Sequence, residues 1–208
     1  KMHCRHCEKK ISNIFLDLGY APPSNAYLKF KELKFSEKTF PLKVLVCENC
    51  WLVQTEIHNN AEELFSSDYA YFSSTSSSWL NHASTYVDSI TKKLNLNKNN
   101  FVIEIASNDG YLLKNFKKKN IPCIGVEPTK STATESKKYG INVIEEFFNK
   151  NLANKLSLNG KFADLIIGNN VYGHVPDIND FTKAMKLVLK IDGTITLEFP
   201  HLLNLIDK

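Results

Sequence analysis

Four cysteines stand in two Cys-x-x-Cys pairs, Cys4 with Cys7 and Cys47 with Cys50. A tetrahedral zinc ion takes four thiolate or imidazole ligands, with sulfur at about 2.3 Å, and a two-residue spacer lets each pair turn around the metal. Two rival chemistries use the same residue type. A redox dithiol needs only one such pair, and disulfides need an oxidising compartment. The doubled spacing favours zinc. His3 and His6 flank the first pair and could each replace a sulfur, but four thiolates already complete the shell. A closed shell leaves no position for water or substrate, so the metal is expected to be structural. Cys123, in the apolar run IPCIGVE, reads as a buried core thiol.

A second constellation lies in FVIEIASNDGYLL. Glu104 opens it, and Asn108, Asp109 and Gly110 close it as the chain turns from a strand into a helix. Gly110 leaves room for backbone to approach a ligand. A dinucleotide fingerprint would read Gly-x-Gly-x-x-Gly, so that pyrophosphate sits on the helix amino terminus. Ala106 and Asn108 occupy the first two glycine positions here, which disfavours a pyrophosphate cofactor. The acidic opening and Asn-Asp-Gly closure suit a ligand with an amino-acid tail and no phosphate, and S-adenosylmethionine is such a ligand. Glu127 follows Gly110 by seventeen residues and ends the next strand. A carboxylate there accepts both ribose hydroxyls; the bland alternative is a surface charge. Glu146, Phe147 and Phe148 follow the third strand and could bracket an adenine, although either phenylalanine also suits the core. After the fourth strand, GNNVYGHVPD supplies Asn169, Asn170 and His174. The histidine can act as base, donor or simple loop residue.

Alternating patterns must position these groups. From residue 101 the strands FVIEIA, PCIGVE, INVIEE, ADLIIGNN and GTITLEF alternate with helices over about 111–119, 131–139, 149–157 and 178–189. Five buried strands alternating with helices predict an α/β fold with a parallel, doubly wound sheet, which binds ligands past the carboxyl ends of its strands. Leu80, Ala83, Val87, Ile90 and Leu94 recur at steps of three and four, giving a helix over 79–96. FPLKVLVC and WLVQTEI enter and leave the second cysteine pair as a hairpin. Residues 1–60 thus form a small zinc-binding, β-rich domain, 61–100 a tyrosine- and serine-rich connection plus helix, and 101–208 a Rossmann-like cofactor domain.

With 208 residues, 43% of them hydrophobic and 23% charged, the chain can bury one good core and a small satellite stapled by metal. No run approaches the roughly 18 apolar residues of a membrane span, and the expected location is the cytoplasm. The net charge of +4 comes from lysine, with Arg5 the single arginine, which argues against a nucleic-acid partner. Lys117–Lys119 fall at a predicted helix end, where cations suit the dipole. A zinc-ribbon docking module and a nicotinamide dehydrogenase are the alternatives from other classes; the missing glycines count against the second. Both termini look cut, since the chain opens just before its first zinc ligand and closes inside an apparent helix, LLNLIDK.

In the order and spacing of the two cysteine pairs, DLGYAPPSNAY, SSDYAYFSSTSSSWLNHA, EIASNDGYLL, GVEP, GNNVYGHVPDI and LEFPHLL, the chain resembles the sugar-nucleotide C-methyltransferases of deoxysugar biosynthesis. The resemblance implies a zinc-binding amino-terminal domain followed by a class I methyltransferase sheet that uses S-adenosylmethionine. It also implies a nucleotide-linked 4-keto-6-deoxy sugar as substrate, deprotonated at C3 to an enolate that attacks the sulfonium methyl. By position, Tyr69 and His174 would line the sugar side of the pocket, with Tyr71 the alternative tyrosine. Family members continue into a Tyr-x-Glu-His segment that contributes further active-site groups, including the base, and into two more strands. The sheet is therefore expected to be incomplete at its carboxyl end, with an exposed edge, and these residues alone are expected to turn over little.

Overall fold

The computed structural model describes residues 2–25, 27–56 and 71–207. It divides into two compact units, Lys1–Tyr71 with Pro176–Asn179, and Phe72–Val175 with Asp180–Lys208.

In the first unit an antiparallel sheet runs β1 (Asn13–Ala21), β2 (Phe40–Val46), β3 (Val53–Thr55) in that order. The expected hairpin is β2 and β3, with Val46 opposite Val53. Strand β1 is new. Eight of its nine residues are exposed, so its side chains show no one-sided burial from which a pattern could be read. Among the described residues the buried core here is small: Cys4, Ile11, Leu45 and Cys47.

The second unit runs α1 (Ser77–Lys93), β4 (Val102–Ile105), α2 (Leu113–Lys118), β5 (Cys123–Val126), α3 (Lys130–Lys138), β6 (Asn142–Ile144), α4 (Lys150–Leu158), β7 (Ala163–Asn169), α5 (Ile178–Val188), β8 (Leu189–Glu198) and α6 (Leu202–Asp207). The sheet order is β6-β5-β4-β7-β8 and every neighbouring pair is parallel. Strand order therefore reverses between β4 and β7, which opens a crevice at their carboxyl ends. All five expected strands form. The last starts at Leu189 rather than near Gly193, because it passes an irregular register at Ala163/Leu165. Gly193 permits this: a Cβ there would lie 2.9 Å from the Ala163 carbonyl oxygen.

Helix α1 begins where the Ser76 hydroxyl accepts a hydrogen bond from the Trp79 N–H. Its face of Ala83, Val87 and Ile90 packs with Leu113 and Phe116 of α2 on Val102, Leu165 and Ile167. Helices α4 and α5 cover the other side of the sheet, against Ile103, Ile105 and Ile166. Each such fully buried side chain contributes about 1.5–3 kcal/mol. Alternation along the strands puts Val102 and Glu104, Leu165, Ile167 and Asn169, and Thr196 and Glu198 on the α1 side. That face is apolar along β4 and β7 until it turns polar at their carboxyl tips.

Candidate active site

At the tip of β4 the chain makes a turn that ordinary residues resist. Ala106 (φ 56°), Asn108 (φ 50°) and Gly110 (φ 79°) all have left-handed backbone. Two of the three carry side chains, and such conformations cost on the order of 1–3 kcal/mol unless their surroundings enforce them. Here the surroundings do. The Ser107 N–H donates to the Val126 carbonyl at 3.2 Å, and the Gly110 N–H to the Ser107 carbonyl at 3.1 Å. The Asn108 N–H donates to Glu127 Oε2 at 2.9 Å. A segment preceding α1 ties down the turn's side chains: the Ser73 N–H donates to Asn108 Oδ1 at 2.9 Å, and the Ser74 N–H to Asp109 Oδ2 at 3.0 Å. The serine end of the tyrosine-serine stretch thus holds the turn.

Two carboxyls sit at the floor. Glu104 is 1% exposed, and among the described residues neither of its oxygens has a hydrogen-bond partner. Burial holds its carboxyl well above the ordinary carboxylate range, and the like charges of Glu127 and Asp109 push the same way. Glu127, 5% exposed, is likewise raised by burial, partly offset by N–H donors. Its two oxygens each take a backbone N–H, from Asn108 and from Thr129, both at 2.9 Å. The side chains of Thr129 and Thr132 hydrogen-bond to the same carboxylate.

The remaining expected cofactor residues lie at neighbouring tips. Glu146 and Phe147 follow β6; Glu146 is exposed and pairs with Lys155 at 3.0 Å, while Phe147 is half-buried. Phe148 goes into the core, edge-on to Phe181 with ring centroids 5.4 Å apart. Asn169 ends β7, and Asn170 follows it with φ 51°, its N–H donating to the Glu198 carbonyl at 2.7 Å. His174 is exposed on the next turn. Tyr69 lies outside the described residues, and Tyr71 is half exposed. Sequence reasoning missed Tyr111, whose hydroxyl hydrogen-bonds to Asn169 and to the Trp79 indole; burial pushes its acidity constant strongly upward. It also missed His82 and Glu198, paired at 2.8 Å. The three-residue step from Trp79 to His82 was the available signal.

In the first unit the sulfurs of Cys4, Cys7, Cys47 and Cys50 all lie within 4.8 Å of one another. Cys4 and Cys50 are 3.6 Å apart, and Cys7 and Cys47 3.5 Å. A tetrahedron of sulfurs at 2.3 Å from a metal has edges of about 3.8 Å, so the set fits zinc. The two knuckles repeat one geometry. Cys4 N–H donates to Lys9 and Cys47 N–H to Leu52; Glu8 N–H donates to Cys4 and Trp51 N–H to Cys47. Glu8 (φ 63°) and Trp51 (φ 62°) take the same left-handed corner after the second cysteine of each pair. The buried Gln54, which no spacing announces, donates from Nε2 to Cys4 Sγ at 3.3 Å and accepts the Arg5 N–H at 3.0 Å. Outer partners of this kind orient metal ligands.

Comparison with known proteins agrees with this division. Residues 4–65 match a family model described as "Putative zinc binding domain", and residues 79–204 one described as "Methyltransferase domain". The chain is 27% identical over 203 residues to the C-methyltransferase NovU of Streptomyces niveus; the match covers 98% of this chain and 48% of that protein. The chain therefore spans about half the length of this curated relative. Among solved structures, a SAM-dependent methyltransferase from Archaeoglobus fulgidus superposes with a TM-score of 0.51 at 15% identity, covering 62% of this chain and 59% of that one. This last likeness concerns the fold alone.

Proposed function

The chain belongs to the methyltransferase-domain family matched by residues 79–204, and from that premise we propose that it binds S-adenosylmethionine at the β4 tip and serves methylation of a carbon in a nucleotide-linked 4-keto-6-deoxy sugar. One observation carries the cofactor: Glu104, fully buried and without a hydrogen-bond partner among the described residues, at the foot of a turn whose other charges are also acidic. A diphosphate would meet repulsion there. An ammonium group, such as that of an amino-acid tail, would meet the charge it needs.

In this reading Glu104 and Asp109 face the amine, and the backbone of Ala106, Asn108 and Gly110 supplies close approach. Glu127 accepts the ribose hydroxyls, which take the place of the threonine side-chain donors. Glu146 and Phe147 border the adenine, and Asn169 and Asn170 close the site from β7. When bound, the cofactor supplies an electrophilic methyl group on sulfur. The chain's task is then to hold an acceptor carbon in line and manage the proton lost from C3 beside the ketone. Tyr69 and His174 are assigned to the sugar side. Zinc, held by Cys4, Cys7, Cys47 and Cys50, is structural. The reaction is assigned to the cytoplasm, where free thiols remain reduced, and no nucleic-acid or membrane partner is assigned. No helix among the described residues is long and apolar enough to cross a membrane.

Calorimetry with S-adenosylhomocysteine tests the site. Glu127→Ala is expected to weaken binding about 10- to 100-fold, the loss of hydrogen bonds to a charged acceptor. Glu127→Gln, which still accepts the loop N–H, should lose less. Equal affinity in wild type and Glu127→Ala would remove Glu127 from the ribose site.

A further inference from the structure

We propose that the pair His82–Glu198 is an acceptor-binding site, in which Nδ1 of His82 takes a hydrogen bond from a hydroxyl of the bound sugar. The inference rests on the acceptor class proposed above and adds residues to it.

The pairing is built by matched repeats. His82 and Tyr86 are four apart on α1 and so share one helix face, about 6 Å from each other. Thr196 and Glu198 are two apart on β8 and share one strand face at about 6.6 Å. The two repeats meet, Tyr86 hydroxyl to Thr196 Oγ1 at 2.5 Å and His82 Nε2 to Glu198 Oε2 at 2.8 Å. Trp79, one turn earlier, stacks on the His82 ring with centroids 5.0 Å apart and planes 24° apart.

The contacts then close into a circuit. Trp79 hydrogen-bonds to the Tyr111 hydroxyl, which also bonds to Asn169. The Asn170 N–H donates to the Glu198 carbonyl, and Asn169 and Glu198 are register partners across β7 and β8. His82 is therefore fixed to the same strand tip that borders the cofactor site. A surface ion pair contributes little to stability, so stability alone gives no reason for an imidazole braced on two sides. Yet the pair stays open, its side chains 49% and 36% exposed.

The chemistry of the open nitrogen follows. A carboxylate accepts hydrogen bonds, so Nε2 carries the hydrogen toward Glu198, and with the ring neutral Nδ1 offers a lone pair. A lone pair selects a hydroxyl donor over a carbonyl oxygen. Sugar hydroxyls beside the reacting ketone are such donors, and Glu198 acts as a positioning residue by fixing the tautomer.

The test is calorimetric titration of thymidine-diphospho-4-keto-6-deoxyglucose into the chain saturated with S-adenosylhomocysteine. His82→Phe is expected to weaken sugar-nucleotide binding about tenfold. Its affinity for S-adenosylhomocysteine should stay within twofold of wild type. His82→Gln, whose side-chain carbonyl accepts the same hydroxyl, should recover most of the loss, and Glu198→Gln should show an intermediate one. Wild-type sugar affinity in His82→Phe would overturn the assignment and leave the acceptor class standing. Parallel loss of S-adenosylhomocysteine affinity would also overturn it, because His82 would then be holding α1 in place. If the wild-type chain binds no sugar nucleotide, the hydroxyl contact falls, and with it the acceptor-class reading for these 208 residues.

Discussion

In the proposed site Glu104 concentrates the conflict between stability and ligand binding in one side chain. Its neighbours on the same sheet face are apolar, and its carboxyl is held well above the ordinary range by burial first and by the charges of Glu127 and Asp109 second. The unfolded chain releases this proton at ordinary carboxylate pH, whereas the folded chain keeps it. Between those two values the unfolded state binds fewer protons, so stability falls as pH rises through the window. Glu104→Gln removes the conflict. The ligand-free variant is expected to melt higher than wild type, with a gap that widens from about pH 5 to about pH 8, because the amide stays neutral where the buried carboxyl resists ionising. The same variant should bind S-adenosylhomocysteine more weakly. Thermal melts across pH with parallel curves for the two proteins would contradict this account.

At the level of elements, the turn from β4 into α2 depends on how closely α3 approaches it. A Cβ on Gly110 would fall 2.6 Å from Ser136 Oγ, 2.7 Å from Ile141 Cδ1 and 3.2 Å from the Ser136 Cα. Side-chain tips can swing aside, but the α3 backbone cannot move far, and φ stays at 79° whatever moves. Gly110→Ala is therefore expected to cost about 1–3 kcal/mol in chemical denaturation. Because Gly110 anchors the turn that carries Asn108 and Asp109, affinity for S-adenosylhomocysteine should fall as well. An unchanged midpoint with normal binding would show that the close packing is not needed.

The whole molecule divides its stability unequally. The sheet unit buries two large apolar clusters, one on each face. Among its described residues the first unit buries Ile11 and Leu45 with two cysteines, and exposes Phe15, Leu18, Tyr20, Phe30 and Phe35. So small a core needs a metal to hold it. Stripping zinc with a strong chelator is expected to unfold the first unit and open it to protease, while a fragment beginning near Phe72 survives. Survival of an intact, protease-resistant first unit after verified zinc loss would end the structural-zinc assignment.

Much of this was legible in the residues themselves. The cysteine spacing, the alternation of five apolar strands with helices, and the acidic residues at two strand ends act through local periodicity and short loops, which a linear string records directly. Strand β1 was hidden because its apolar side chains are exposed on both faces, and the early start of β8 because only the close passage of Gly193 by Ala163 permits it. The roles of Gln54, Tyr111, His82 and Glu198 were hidden for a different reason. Their partners lie far away along the chain, as with His82 and Glu198 at |i−j| = 116. The string sets which groups are available and which elements carry them. Only the folded sheet, by bringing α1 alongside β8 and the β7 tip beside Glu198, decides which of those groups meet.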